Sequence, residues 1–171
     1  MIKIMGAVLI ISAGVVNGVK AAKKLRDRVK ILQSLFLSAA QIRAEINTRL
    51  SSVTDILKKM ALSPNRVVSE LYKKAYTGML GSDGEAFSVI WRRAVDSSPE
   101  LLLRDDEKSA LYEMGMCLGK YDAKSQDTLL GAVIEKLGHL EKCAEEELKN
   151  ELRLQTGLSV ISGVFVVIVL L

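Results

Sequence analysis

The residues best placed to do chemistry crowd into one stretch, YEMGMCLGKYDAKSQDTLL, residues 112–130. Gly115 and Gly119 sit four apart, Cys117 lies between them, and Asp122, Ser125, Gln126 and Asp127 follow. A phosphate-binding loop of the G-x-x-x-x-G-K-[ST] type needs a preceding strand and a hydroxyl after the lysine. Gly119-Lys120-Tyr121 has neither, and a dinucleotide fingerprint fails for the same lack of a strand. Cys117 has no histidine nearby in sequence to activate it as a nucleophile. Cys143, the second cysteine, stands at no metal-type spacing from it, and His139 is the only histidine, so neither a metal nor a cofactor is expected.

The same residues make a good bend. Gly119 suits a helix C-terminus in the left-handed conformation, and Asp122 suits the N-cap of the next helix. Gln126 follows in the first turn of that helix. Leu118 and Leu129 then meet across a tight antiparallel hairpin, and Gly115 marks a place where its two helices approach closely.

The other polar groups of note lie on helix faces. Arg43, Glu45 and Arg49 form one charged pattern, and Lys142–Glu146 and Glu145–Lys149 are spaced for i,i+4 pairs. Arg43, Glu45, Arg49, Glu145 and Glu146 are therefore the candidate partner contacts. A third group, Lys20, Lys23, Lys24, Arg26, Arg28 and Lys30, is strongly basic and follows an apolar run.

The elements that position these groups are helical. The 171 residues are 49% hydrophobic, only 5% aromatic and contain two prolines, a balance that favours an all-α chain. Ile31, Leu35, Ala39, Ile42, Ile46 and Leu50 repeat with helical period. A break near residues 47–52 lets Ser52 cap a second helix carrying Val53, Ile56, Leu57 and Met60. Ser63-Pro64 reads as a helix start, with Val67, Val68, Leu71, Ala75 and Leu80 as the buried stripe. Gly81–Gly84 ends that helix, and Phe87, Ile90, Trp91, Ala94 and Val95 make a fourth. Ser98-Pro99 repeats the start signal. Asp105 and Asp106 favour a helix N-terminus, with Leu111, Met114 and Leu118 inward. A last run, Leu130, Val133, Leu137, Leu140, Ala144, Leu148 and Leu152, continues toward the C-terminus. Trp91 reads as core and His139 as helix surface.

Both ends are apolar. Residues 4–19 carry no charge and would form about 24 Å of helix, with Lys3 and Lys20 able to snorkel at its borders. The absence of an A-x-A site favours an uncleaved anchor over a secretory signal. Residues 156–171 are uncharged and apolar all round. The expected organisation is an N-terminal transmembrane anchor over 1–22, a cytoplasmic helical bundle over 23–153 and a C-terminal transmembrane helix over 154–171. Basic residues flank the inner side of both spans, which places the bundle in the cytoplasm and both termini outside. They hug the membrane, so anionic lipid rather than nucleic acid is their expected partner. Small residues in both spans, Gly6, Ala13, Gly14, Gly157 and Gly163, allow close helix contact and self-association.

These features resemble the stage III sporulation protein AB family of endospore-forming Firmicutes. The resemblance runs along the whole chain: KIMGAVLIISAGVVNG at the start, IRAEINTRLSSVTDILKKM, the tryptophan of IWRRAV, LGKYDAKSQDTLL, and LRLQTGLSVISGVFVVIVLL at the close. Its most specific part is the order Leu118, Gly119, Asp122, Gln126 together with the C-terminal anchor. The resemblance implies an antiparallel bundle of about six helices, similar to the cytoplasmic domain of the type II secretion and type IV pilus inner-membrane platform protein. It also implies a non-enzymatic platform in a secretion-like channel complex between mother cell and forespore. The implied partners are the other stage III sporulation A-type proteins, including a secretion-type ATPase, with residence in the mother-cell membrane around the forespore. A small membrane transporter or pore-forming protein is the alternative. Ser12, Asn17, Ser159 and Ser162 are the notable polar groups of the spans, and they suit helix packing better than transport.

Overall fold

The computed structural model describes the backbone of residues 2–49, 52–82, 84–118 and 123–170, and side chains within 18–48, 52–82, 84–118, 125–155 and at 157. Six α-helices account for nearly all of it: α1 Ile2–Arg49, α2 Val53–Met60, α3 Arg66–Leu80, α4 Phe87–Asp96, α5 Asp105–Leu118 and α6 Ala123–Leu170. Among the described residues there is no strand.

Two compact units result, one made of 1–29 with 143–171 and one of 30–142. The divisions lie further from each terminus than the anchor boundaries at 22 and 153. Among the described residues no helix is long and apolar enough to cross a membrane. The expected spans, 4–19 and 156–171, fall almost wholly on side chains outside the described residues.

The larger unit is built as its periodicities require. Ile31, Leu35, Ala39 and Ile42 from α1 meet Ile56, Leu57 and Met60 of α2, and Val68, Leu71, Tyr72 and Ala75 of α3. Trp91, Ala94 and Val95 of α4, Leu111, Met114, Cys117 and Leu118 of α5, and Leu130, Val133 and Leu137 of α6 close the same core. Leu80, expected in the stripe of α3, is 66% exposed; Tyr72 takes an inward position instead. Leu130 rather than Leu129 enters the core from α6, and Leu129 lies at the surface.

Helix starts follow hydrogen-bond chemistry more closely than proline. Ser52 caps α2 as expected, accepting the Asp55 N–H at 3.2 Å. Ser63-Pro64 does not start α3. Asn65 does, its Oδ1 accepting from Val67 at 3.1 Å and Val68 at 3.4 Å, which satisfies two of the orphan amides that Pro64 could not reach. Ser98-Pro99 opens only a 3-10 turn, Pro99–Leu101. The chain leaves it through Leu102 in the left-handed conformation, φ 54, at a cost of about 1 kcal/mol for a residue with a Cβ. α5 then starts six residues beyond the proline. Glu107 reaches back from its first turn and accepts the Arg104 N–H at 2.8 Å, the reciprocal half of a capping box.

Candidate functional site

The hairpin stretch has a structural role where the structure describes it. Cys117 is buried in the core. Gln126 donates Nε2–H to the carbonyl of Leu118 at 3.3 Å, tying the first turn of α6 to the end of α5. Gly119 and Asp122 lie outside the described residues.

Gly115 does mark a close approach, but the partner is Trp91 on α4 rather than a residue of α6. A Cβ at Gly115 would sit 2.3 Å from Trp91 Cδ1 and 2.8 Å from Cγ. The indole packs against α5 at Gly115 and donates Nε1–H to the Leu111 carbonyl at 2.7 Å. Leu111 and Gly115 are one helical turn apart, so the glycine opens the slot and the carbonyl below it orients the ring. Tyr72 and Phe87 flank the indole at centroid distances of 5.4 and 5.9 Å. The Tyr72 hydroxyl donates to Ser38 at 2.9 Å. Burial pushes the Tyr72 phenol well above its usual range, and the Ser38 hydrogen bond opposes this only in part.

The charged faces divide into internal clamps and open surface. Arg43 does not stand free. Its Nε and Nη2 donate to Asp127 Oδ1 and Oδ2 at 2.6 and 3.0 Å, a bidentate pair joining α1 to the start of α6. Asn47 donates to the same carboxylate at 2.6 Å. Hydrogen bonds from Arg43 first, then Asn47, with the nearby guanidinium charge, hold the Asp127 carboxyl down to about 2. Gly131, one turn after Asp127, leaves room for the guanidinium, which lies 3.4 Å from where a Cβ would be. Glu45 accepts from Lys59 of α2 in an ion pair. The Arg49 side chain lies outside the described residues. Asp127 was in view as part of the polar cluster after Gly119; its pairing with Arg43 was not, because 84 residues separate them.

In the smaller unit, Arg28 departs from its basic neighbours. It is 6% exposed and pairs with Glu147 of α6 at 2.8 Å. Gln155 Nε2 donates to the Gly18 carbonyl at 2.7 Å, so two polar contacts join the same pair of helices. Arg28 therefore packs between helices, whereas Lys20, Lys23, Lys24, Arg26 and Lys30 are exposed. Glu145 and Glu146 stay on the surface of α6, with Lys149 3.8 Å from Glu145 as the expected i,i+4 pair. His139 is exposed, as expected. Among the described residues no group of His, Cys, Asp and Glu side chains could hold a metal ion.

A feature missed from the sequence lies on the outer side of α1. Leu37 and Leu62 are 58% and 82% exposed, and both line a groove of about 300 Å³ between α1 and the end of α2. Leu37 lies off the core period of α1, and an apolar residue at a polar position was the available signal.

Taken together, these contacts define an all-α helical bundle in which ion pairs and hydrogen bonds brace helices against one another. The family is identified by comparison with known proteins. Residues 3–171 match the family model of stage III sporulation protein AB, and the chain belongs to that family of sporulation proteins. Stage III sporulation protein AB of Bacillus subtilis (strain 168) is 26% identical over 176 residues, covering 100% of both chains. A solved structure of stage III sporulation protein AB (SpoIIIAB) is similar in fold, with a TM-score of 0.65 at 21% identity, spanning 72% of this chain and 97% of its own.

Proposed function

We propose that the chain is a non-enzymatic membrane platform in a sporulation-specific, secretion-like channel complex, coupling a cytoplasmic secretion-type ATPase to membrane components. The observation that carries this reading is the family match over residues 3–171, which takes in the helical bundle and both apolar ends together. In this reading residues 4–19 and 156–171 anchor the chain in the mother-cell membrane around the forespore. The bundle faces the cytoplasm, and Lys20, Lys23, Lys24 and Arg26 meet anionic headgroups. Glu145 and Glu146, exposed or half-exposed on α6, are the assigned partner contacts. Arg43 and Glu45, paired with Asp127 and Lys59, and Arg49 are the other proposed contacts.

The test is recovery of a tagged chain from gently solubilised membranes of sporulating cells. Co-purification of a secretion-type ATPase with other stage III sporulation A-type proteins supports the reading. Clean recovery without the ATPase, while another membrane complex in the same extract stays intact, overturns the coupling role.

A further inference from the structure

The groove beside α1 has the composition of a protein-binding face. Between Lys30 and Glu45, the solvent side of α1 presents Gln33, Ser34, Leu37, Gln41 and Ala44, and the one charged side chain among them, the half-buried Arg43, is paired with Asp127. In a chain that is 26% charged, this face lacks the lysines and glutamates that usually cover an exposed helix. Depletion of charge around apolar anchors distinguishes the centre of an interface from ordinary surface. The strip is about 22 Å long at 1.5 Å per residue. The groove runs along its edge, with Met60, Leu62 and Lys59 on the far wall. Leu62 and Leu37, 82% and 58% exposed, are the apolar area that a partner would remove from water.

The serine hydroxyls of the floor already have partners. Ser34 donates to the Lys30 carbonyl at 2.9 Å, and Ser38 donates to the Leu35 carbonyl at 3.0 Å while accepting from Tyr72. The depression asks for apolar side chains, not for polar ligand atoms.

Charge decides between occupants. Lys58 precedes Leu62 by one turn and Lys30 closes the strip at its other end; both are exposed, whereas Lys59, which lines the groove, is paired with Glu45. Glu45, the nearest carboxylate on α1, is only 14% exposed at its side chain and is held by Lys59. A second copy of this chain would set these lysines against lysines. We propose that the groove receives an amphipathic helix of a different protein, with leucine-type side chains spaced i, i+3, i+7 on one face and carboxylates along its flank. This is the helix-in-groove mode of recognition, and it does not depend on membrane insertion or ATPase coupling.

The test uses the full chain in mild detergent and two fluorescein-labelled helical peptides of about 18 residues, long enough to cover the strip. Both carry leucine at i, i+3 and i+7, one with glutamates and one with lysines elsewhere. The glutamate peptide is expected to bind saturably by anisotropy and the lysine peptide much more weakly. Leu62→Glu should weaken the glutamate peptide about tenfold or more, as for a buried interface anchor. Lys30→Glu with Lys58→Glu should reverse the preference between peptides. All three positions are exposed, so unchanged Trp91 emission checks the fold. Equal binding of both peptides, or binding unchanged in Leu62→Glu, overturns the proposal. A dimer dissolved by Leu62→Glu would assign the groove to a second copy, and vesicle binding lost in Leu62→Glu would assign it to a bilayer; either result overturns the proposed occupant.

Discussion

Gly115→Ala is expected to destabilise the bundle, against the general rule that alanine improves a helix interior. The propensity gain is about 1 kcal/mol. Against it stands a Cβ placed 2.3 Å from Trp91 Cδ1, 2.8 Å from Cγ and 3.1 Å from Cβ. These are ring and stem atoms of a fully buried side chain, held by Tyr72, Phe87 and the Leu111 carbonyl, so the indole has little freedom to yield. Overpacking of this kind costs about 1–3 kcal/mol. If the ring moves enough to break its 2.7 Å hydrogen bond, an unsatisfied buried N–H adds about 1–3 kcal/mol. The net expectation is a loss centred near 3 kcal/mol, or about 12 °C in Tm at roughly 4 °C per kcal/mol. Trp91 is the sole tryptophan, so its emission reports unfolding directly in a urea or thermal series. Trp91→Leu should make the Gly115→Ala cost fall, giving a coupling energy of about 1–2 kcal/mol in a double-mutant cycle followed by far-UV circular dichroism, which needs no tryptophan. A Gly115→Ala protein as stable as the parent, or more stable, would show that the slot does not depend on the glycine and would refute this account of α4–α5 packing.

The Arg43–Asp127 clamp sets an acid limit. The Asp127 carboxyl is depressed to about 2 in the folded chain, so its stabilisation is complete above the ordinary aspartate range near 3.9 and is lost as pH falls from there toward about 2. Asp127→Asn should flatten that part of the stability–pH curve, and an unchanged acid limb would count against the clamp. Burial of Tyr72 raises its phenol, so stability should fall as pH rises past about 10, where the unfolded phenol ionises; Tyr72→Phe removes this alkaline dependence in a pH-resolved melt. Glu107→Ala removes the carboxylate that accepts the Arg104 N–H and should cost about 1–2 kcal/mol by urea titration, as for lost helix caps. Arg28→Glu should destabilise the smaller unit by opposing two carboxylates, and Glu147→Arg should restore part of the loss, read as protection of residues 18–28 from hydrogen exchange.

Local periodicity carried the core well. Every apolar position named on α4, from Phe87 to Val95, is buried, because a ten-residue helix with one apolar face has one way to pack. Leu80 escaped the pattern at the last residue of α3, where no further turn extends the buried stripe past it. Proline misled twice: its missing N–H makes it compatible with a helix start without capping one, and Asn65 and Glu107 supplied the acceptors instead. Charge pairs within one turn were readable, as with Glu145 and Lys149. Arg28–Glu147 and Arg43–Asp127 were not, since they join residues 119 and 84 apart, and spacing in sequence carries no information about which helices become neighbours.

The same distinction separates scaffold from surface. On α1, Arg28 and Arg43 look like Lys20 and Lys30 in a charge count, yet the two arginines reach across to carboxylates on α6 and the two lysines remain exposed. Arginine suits the first use because its planar fork can hold a carboxylate bidentately, as Arg43 does, while lysine offers a strongly hydrated point charge. Replacing Arg43 by lysine should therefore weaken the clamp although the charge is conserved, and replacing Lys20, Lys23 or Lys24 by arginine should leave the fold unaffected. Net positive charge alone thus overstates what is open to partners. Among the described residues of α1, the exposed cations are Lys20, Lys23, Lys24, Arg26 and Lys30.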